Sequence, residues 1–226
     1  MFKSVLFFGR KDCIYSNKLK NFLKKNSKKF KYIQSQFINK KLNKNIIGNL
    51  SYDYIFCFRS YYILKSDILK KCNKAAINFH PGTPQYRGVG SINYAINDGA
   101  KFYGSTAHII NNAIDKGKIL NIIKFKLNQS STVENSLKKT YKVMLRQAIY
   151  VIKLLNRSEK NLMKLIKKNR TKKWSKKIRT RKDLNKFYEI SININKKNLL
   201  KKIRATNTKR FKPFILLHSK KFVLDD

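Results

Sequence analysis

Asn78 and His80 stand two residues apart where the apolar run Ala75-Ala76-Ile77-Asn78-Phe79 passes into His80-Pro81-Gly82-Thr83-Pro84-Gln85-Tyr86-Arg87-Gly88-Val89-Gly90. Strand side chains two apart project to the same side, so an amide donor and an imidazole can converge on one reacting atom. Taken alone, Asn-x-His also reads as a turn-capping Asn followed by a satisfied loop histidine. Asp115, two residues before Gly117, reads alone as a turn residue. His108 reads as a core histidine on an apolar strand, and Thr106, on the same face, as a β-former.

These residues fall where the composition changes. Between Ala75 and Leu120 lie six of the chain's eight glycines and two of its three prolines, with only four Lys or Arg. Glycine and proline are placed by backbone geometry, so they mark loops of particular shape. Before this segment, short apolar runs alternate with helix-permissive stretches, as parallel strands alternate with crossover helices. Strands are predicted near Ser4 to Phe8, Tyr32 to Gln34, Tyr54 to Phe58 and Ala75 to Phe79, with helices at Ser16 to Lys25 and Ser66 to Lys71, each Ser an N-cap. The expected fold is α/β: an open, mostly parallel, Rossmann-like sheet with helices on both faces. Polar groups at the carboxyl ends of such strands line the ligand crevice. After Val133, Leu137, Tyr141, Met144, Leu145, Ala148, Ile149, Ile152 and Leu155 recur at helical spacing and close the main domain, 1–156. A basic connector, 157–182, follows, with 13 of 26 residues Lys or Arg; it reads as extended or partly mobile. Residues 183–226 read as a small C-terminal subdomain.

The formal net charge of +42 over 226 residues favours a phosphate-bearing partner, although Lys, Asn and Ile are abundant along the whole chain and compositional drift accounts for part of it. No apolar run approaches the roughly 20 residues of a bilayer span, so a cytoplasmic protein without a membrane partner is expected. Cys13, Cys57 and Cys72 show neither disulfide nor metal spacing. Phe2 to Gly9 begins like a nucleotide-binding unit, yet no glycine-rich phosphate motif follows it.

The loop after Asn78 resembles the signature of the folate-dependent formyltransferases, a strand ending in Asn-x-His-Pro followed by Pro-x-x-Arg-Gly. The likeness continues in Tyr103-Gly104-Ser105-Thr106-Ala107-His108-Ile109-Ile110 and in Ile114-Asp115-Lys116-Gly117-Lys118-Ile119-Leu120, which are similar to the family's Gly-x-Thr-x-His strand and Asp-x-Gly-x-Ile-Leu segment. The resemblance implies that Asn78, His80 and Asp115 are the catalytic set: Asn78 and a protonated His80 stabilise an oxyanion formed when an amine attacks a formyl carbon, and Asp115 holds His80 charged or accepts the amine's proton. It implies 10-formyltetrahydrofolate as co-substrate and no metal, with the pterin gripped by backbone groups of the loops of Phe58, Arg59, Tyr61 and Ile63 and of Asn111 and Ile114. Thr106 and His108 become supporting residues, together with Pro81 and Gly82, and Arg87 either meets a substrate anion or braces its loop.

Three acceptors divide this family. The spelling His80-Pro81-Gly82-Thr83-Pro84, with Ile203-Arg204-Ala205 and Phe211 to Ile215 in the tail, is most similar to members acting on amino-sugar nucleotides. Methionyl-tRNA is the second reading, supported by the basic connector and its Trp174. Glycinamide ribonucleotide and a non-catalytic nucleic-acid-binding protein complete the alternatives, and a homodimer is left open.

Overall fold

In the computed structural model, residues 1–37 and 42–225 are described. The chain runs β1 (Phe2–Arg10), α1 (Ile14–Lys25), β2 (Ser27–Ser35), β3 (Tyr52–Phe58), α2 (Ser66–Leu69), β4 (Cys72–His80), α3 (Ser91–Asn97), β5 (Phe102–Ile109), β6 (Ile119–Lys126), α4 (Val133–Arg157), α5 (Lys160–Lys168), α6 (Arg181–Phe187), α7 (Lys196–Thr206), β7 (Phe214–Leu217) and β8 (Lys220–Val223). One sheet takes the order β2-β1-β3-β4-β5-β6, and β7-β8 form a hairpin. Pairs among β2, β1, β3 and β4 are parallel, whereas β4-β5 and β5-β6 are antiparallel. The mostly parallel α/β sheet expected from the sequence is therefore present, with two antiparallel strands at one edge.

β3 is buried at every position, as a strand covered on both faces must be. β1 shows the alternation: Val5 and Phe7 join the core shared with α1 and α4, while Leu6 and Phe8 join the opposite core with Ile47 and Ile68. α4 is tied to the antiparallel edge by a buried polar link. Gln147 Nε2 donates to the Ser105 and Asn121 carbonyls, both at 3.1 Å, and Ser105 Oγ donates to Gln147 Oε1 at 2.6 Å. Pairing donors with acceptors inside the core fixes the rotation of the helix against the strands.

Three expectations need correction. α1 starts at Ile14 because Cys13 caps it, its Sγ accepting from Ser16 N–H at 3.4 Å, so Ser16 lies inside the first turn. α2 is a single turn capped by Lys65 without a side-chain bond. The basic stretch is not extended: it contains α5, and 169–180 then crosses the carboxyl edge of the sheet, docked by Ser175 N–H to Pro84 O and Val89 N–H to Arg179 O. Amphipathic spacing of Leu162, Leu165 and Ile166 against the main core outweighs the lysine repulsion that suggested an open chain. α7 packs with α3, placing Ala205 in a third apolar cluster with Ile92, Ala95 and Tyr103.

Candidate active site

The carboxyl end of β4 carries Asn78 and His80, and antiparallel pairing sets β5 beside it in the register Asn78↔His108 and His80↔Thr106. Asp115 arrives on the loop between β5 and β6 with φ of 43°, a left-handed conformation that Asp adopts more readily than most residues. Its loop is pinned from three sides. Ile109 N–H donates to Lys118 O at 2.9 Å, Arg87 Nε and Nη2 both donate to Ile114 O, the former at 2.8 Å, and Trp174 Nε1–H donates to Gly117 O at 2.8 Å. Gly117 has no substitute here, since a Cβ would lie 1.7 Å from Ile109 O.

Asp115 consequently bridges two imidazoles. His80 Nδ1 is 3.2 Å from Oδ2 and His108 Nε2 is 3.4 Å from Oδ1, all three side chains being buried to 10% exposure or less. Gly88 N–H donates to Oδ2 at 3.2 Å. Burial alone would raise the Asp115 carboxyl, but the charge of His80 and the hydrogen bond and charge of His108 outweigh it and hold the group below the usual carboxylate range. Burial lowers the His80 imidazole, with Asp115 opposing in part. His80 Nε2 lies 3.2 Å from Tyr86 O and 3.5 Å from Ser91 Oγ; His108 Nδ1 lies 2.8 Å from Ile109 O, and Asn78 Nδ2 lies 3.1 Å from His108 Nε2.

Beside this cluster is a cleft of about 190 Å³, lined by Cys57, Ser60 to Leu64, Asn78, His108 and Ile110 to Asp115. Tyr61, Ile63, Asn111 and Ile114 thus face one space with Asn78 and Asp115. Phe58 and Arg59 do not. The Phe58 ring is wholly buried in the core, and the Arg59 guanidinium lies 3.6 Å from the Tyr141 ring centroid and donates to Cys13 Sγ at 3.1 Å. Both side chains are consumed by packing, which only the tertiary structure reveals. The imidazole beside Asn78 in the cleft wall is His108, and His80 meets the Oδ2 atom of the Asp115 carboxylate.

The supporting residues hold the loops. Thr106 Oγ1 donates to Gly82 O at 2.7 Å and Tyr103 Oη to Pro81 O at 2.5 Å. Gly82 passes so near the His80 ring that a Cβ would sit 2.6 Å from Nε2. Arg87 braces the Asp115 loop through its two bonds to Ile114 O. Trp174 belongs to the site as well, its ring centroid 5.7 Å from that of His80 and 5.0 Å from that of His108. Its signal in the sequence was its singularity, one Trp among 53 basic residues.

Residues 5–152 match the family model described as formyl transferase. A methionyl-tRNA formyltransferase from Clostridium tetani is 36% identical over 87 residues, 38% of this chain. In the curated relatives it matches, the aligned part covers only 16% to 29% of their length. Among solved structures, a sugar N-formyltransferase from a Shewanella species superposes with a TM-score of 0.71 at 17% identity, covering 98% of this chain and 96% of that one. The N-formyltransferase of Helicobacter canadensis, solved with folinic acid and dTDP-3-aminofucose, gives 0.68 at 19% identity, covering 97% and 86%. At such identities the structures attest the fold, and the match over 5–152, which holds Asn78, His80, His108 and Asp115, places this chain in the formyl transferase family.

Proposed function

We propose that the chain transfers the formyl group of 10-formyltetrahydrofolate to the primary amine of an amino-sugar nucleotide. The observation that carries this reading is the Asp115 carboxylate held between two imidazoles next to Asn78, in the wall of a cleft that suits a flat heterocycle. Tyr61, Tyr62, Ile63, Leu64 and Ile114 offer that cleft apolar surface, and the 110–114 backbone offers hydrogen bonds. Asn78 donates its amide N–H to the oxygen that becomes negative when the amine nitrogen bonds to the formyl carbon. Asp115, kept ionised, takes the proton that the amine loses, and the two imidazoles share the charge. An imidazolium formed in this way returns a proton to the folate nitrogen as its bond to the formyl carbon breaks.

The acceptor assignment draws on the Helicobacter canadensis enzyme, whose complex holds a dTDP-amino sugar, and on an alignment that takes in nearly all of this chain. Methionyl-tRNA is the second reading, favoured by the Clostridium tetani relative and by the exposed Lys172, Lys173, Lys176 and Lys177 around Trp174. Release of tetrahydrofolate is the decisive measurement, with dTDP-amino sugars, glycinamide ribonucleotide and methionyl-tRNA offered in turn. Turnover with the sugar nucleotide, indifferent to added tRNA, is expected. No turnover with any amine, together with salt-sensitive RNA binding, would overturn formyl transfer in favour of a nucleic-acid-binding role.

A further inference from the structure

We propose that Trp174 is a positioning residue of the active site: carried on the basic strap 169–180, its indole holds the His80 and His108 rings in place around Asp115 and keeps water from that cluster. The inference rests on the site assignment above but not on the identity of the acceptor.

Each imidazole is anchored at its other nitrogen, His80 Nε2 at Tyr86 O and His108 Nδ1 at Ile109 O, and the indole adds a packing surface against both rings that these bonds do not supply. The indole meets both nearly at right angles, 74° to His80 and 82° to His108, the edge-to-face arrangement aromatic pairs prefer. Its Nε1–H is spent on Gly117 O at 2.8 Å, two residues beyond Asp115, so one side chain joins the end of β4, the end of β5, the Asp115 loop and the strap. The strap is itself held at several points. Asn169 Nδ2 donates to Leu120 O at 2.8 Å, Ser175 N–H to Pro84 O at 2.9 Å, Val89 N–H to Arg179 O at 2.8 Å and Arg179 N–H to Arg87 O at 3.2 Å. Gly88, with φ of 89°, permits this docking, because a Cβ there would lie 2.2 Å from Arg179 O.

Trp174 is half-buried, while the lysines flanking it are exposed. The strap therefore turns its indole inward and its lysines outward, while Ile178 is exposed and Arg179 is buried against Tyr86 and Tyr94. The titratable groups facing His80 are Asp115 and His108; the chain from Tyr86 to Ser91 presents a carbonyl and a hydroxyl, and the strap presents the uncharged indole. Removing the indole opens the cluster to water on that side and relieves the burial that lowers the His80 imidazole.

The chain has three histidines, few enough for ring-proton NMR to follow each one, and His218, at the exposed tip between β7 and β8, is an internal reference. In Trp174→Ala the His80 midpoint is expected to rise toward the ordinary histidine value while His218 stays put. Alongside, kcat is expected to fall about tenfold or more, as for a misplaced catalytic cluster, with little change in KM for the formyl donor. Trp174→Phe, which keeps a ring but loses the bond to Gly117 O, is expected to hold the His80 midpoint and lose less in kcat. Should Trp174→Ala fail to fold, Trp174→Leu, which fills the space without an aromatic ring, carries the same test. Unmoved His80 and His108 midpoints with unchanged kcat would overturn the proposal, and so would unmoved midpoints with only a raised acceptor KM, the mark of a substrate platform. Because the titrations need no substrate, a wrong acceptor assignment cannot be mistaken for failure here.

Discussion

A carboxylate between two imidazoles makes stability and activity depend on the same protons. Asp115 has a folded-state pKa below its unfolded value, so its stabilisation is complete above that unfolded value and is lost as pH falls through the folded one. His80 has its folded pKa lowered from 6.5 by burial, so between its two pKa values the folded chain binds fewer protons than the unfolded chain. Stability therefore declines as pH drops below about 6.5, and Asp115 adds to the loss at lower pH still. Urea midpoints measured across this range should show both phases, and His80→Gln should remove the upper one. For activity, His80→Ala and Asp115→Asn are each expected to lower kcat/KM by about 10²-fold or more, the usual reach of a positioned donor or proton acceptor. Full activity in either variant, with the fold intact by circular dichroism, would show that the proton path runs elsewhere.

Between residues and the whole lie the elements that carry them, and here the sequence was legible in proportion to how local the causes are. β1, β3 and β4 show as apolar runs because both faces are covered. β2 is harder to see in full, since Lys28, Lys29 and Lys31 interrupt an edge strand, and the start of α1 hides behind a sulfur cap that ordinary capping preferences do not flag. Glycine and proline marked the segment that holds Asn78, His80 and Asp115, but the residues themselves stood out only through the family signature around them. The role of the strap could not be read, because its order comes from backbone bonds to the 84–89 segment and one indole, which leave no periodic trace. Nor could the Gln147 link, a single polar residue on an apolar helix face. Replacing Gln147 by Leu leaves the Ser105 hydroxyl and the Asn121 side chain without their buried partner, and destabilisation of roughly 1–3 kcal/mol is expected. Equilibrium urea unfolding measures it; a change within experimental scatter would mean that water takes over those bonds.

For the molecule as a whole the governing quantity is its charge. With 53 basic and 11 acidic side chains, most lysines have no acid to face, and several acids are already engaged: Asp53 and Glu159 both pair with Lys74, Asp115 lies among imidazoles, and Asp183 closes the capping box of α6. Like charges spread over one compact body repel, and the repulsion is greatest in the folded state. Salt of about 0.1 M screens charges more than about 10 Å apart, so the melting temperature should climb by several degrees between very low salt and 0.3 M sodium chloride. The same experiment, run on catalysis, separates drift from function. If the lysines beside Trp174 draw in a phosphate-bearing acceptor, its KM rises with salt while kcat and the donor KM hold steady. If the charge is compositional alone, the acceptor KM stays flat while the melting temperature still climbs, and the basic strap is left with Trp174 as its contribution to the site.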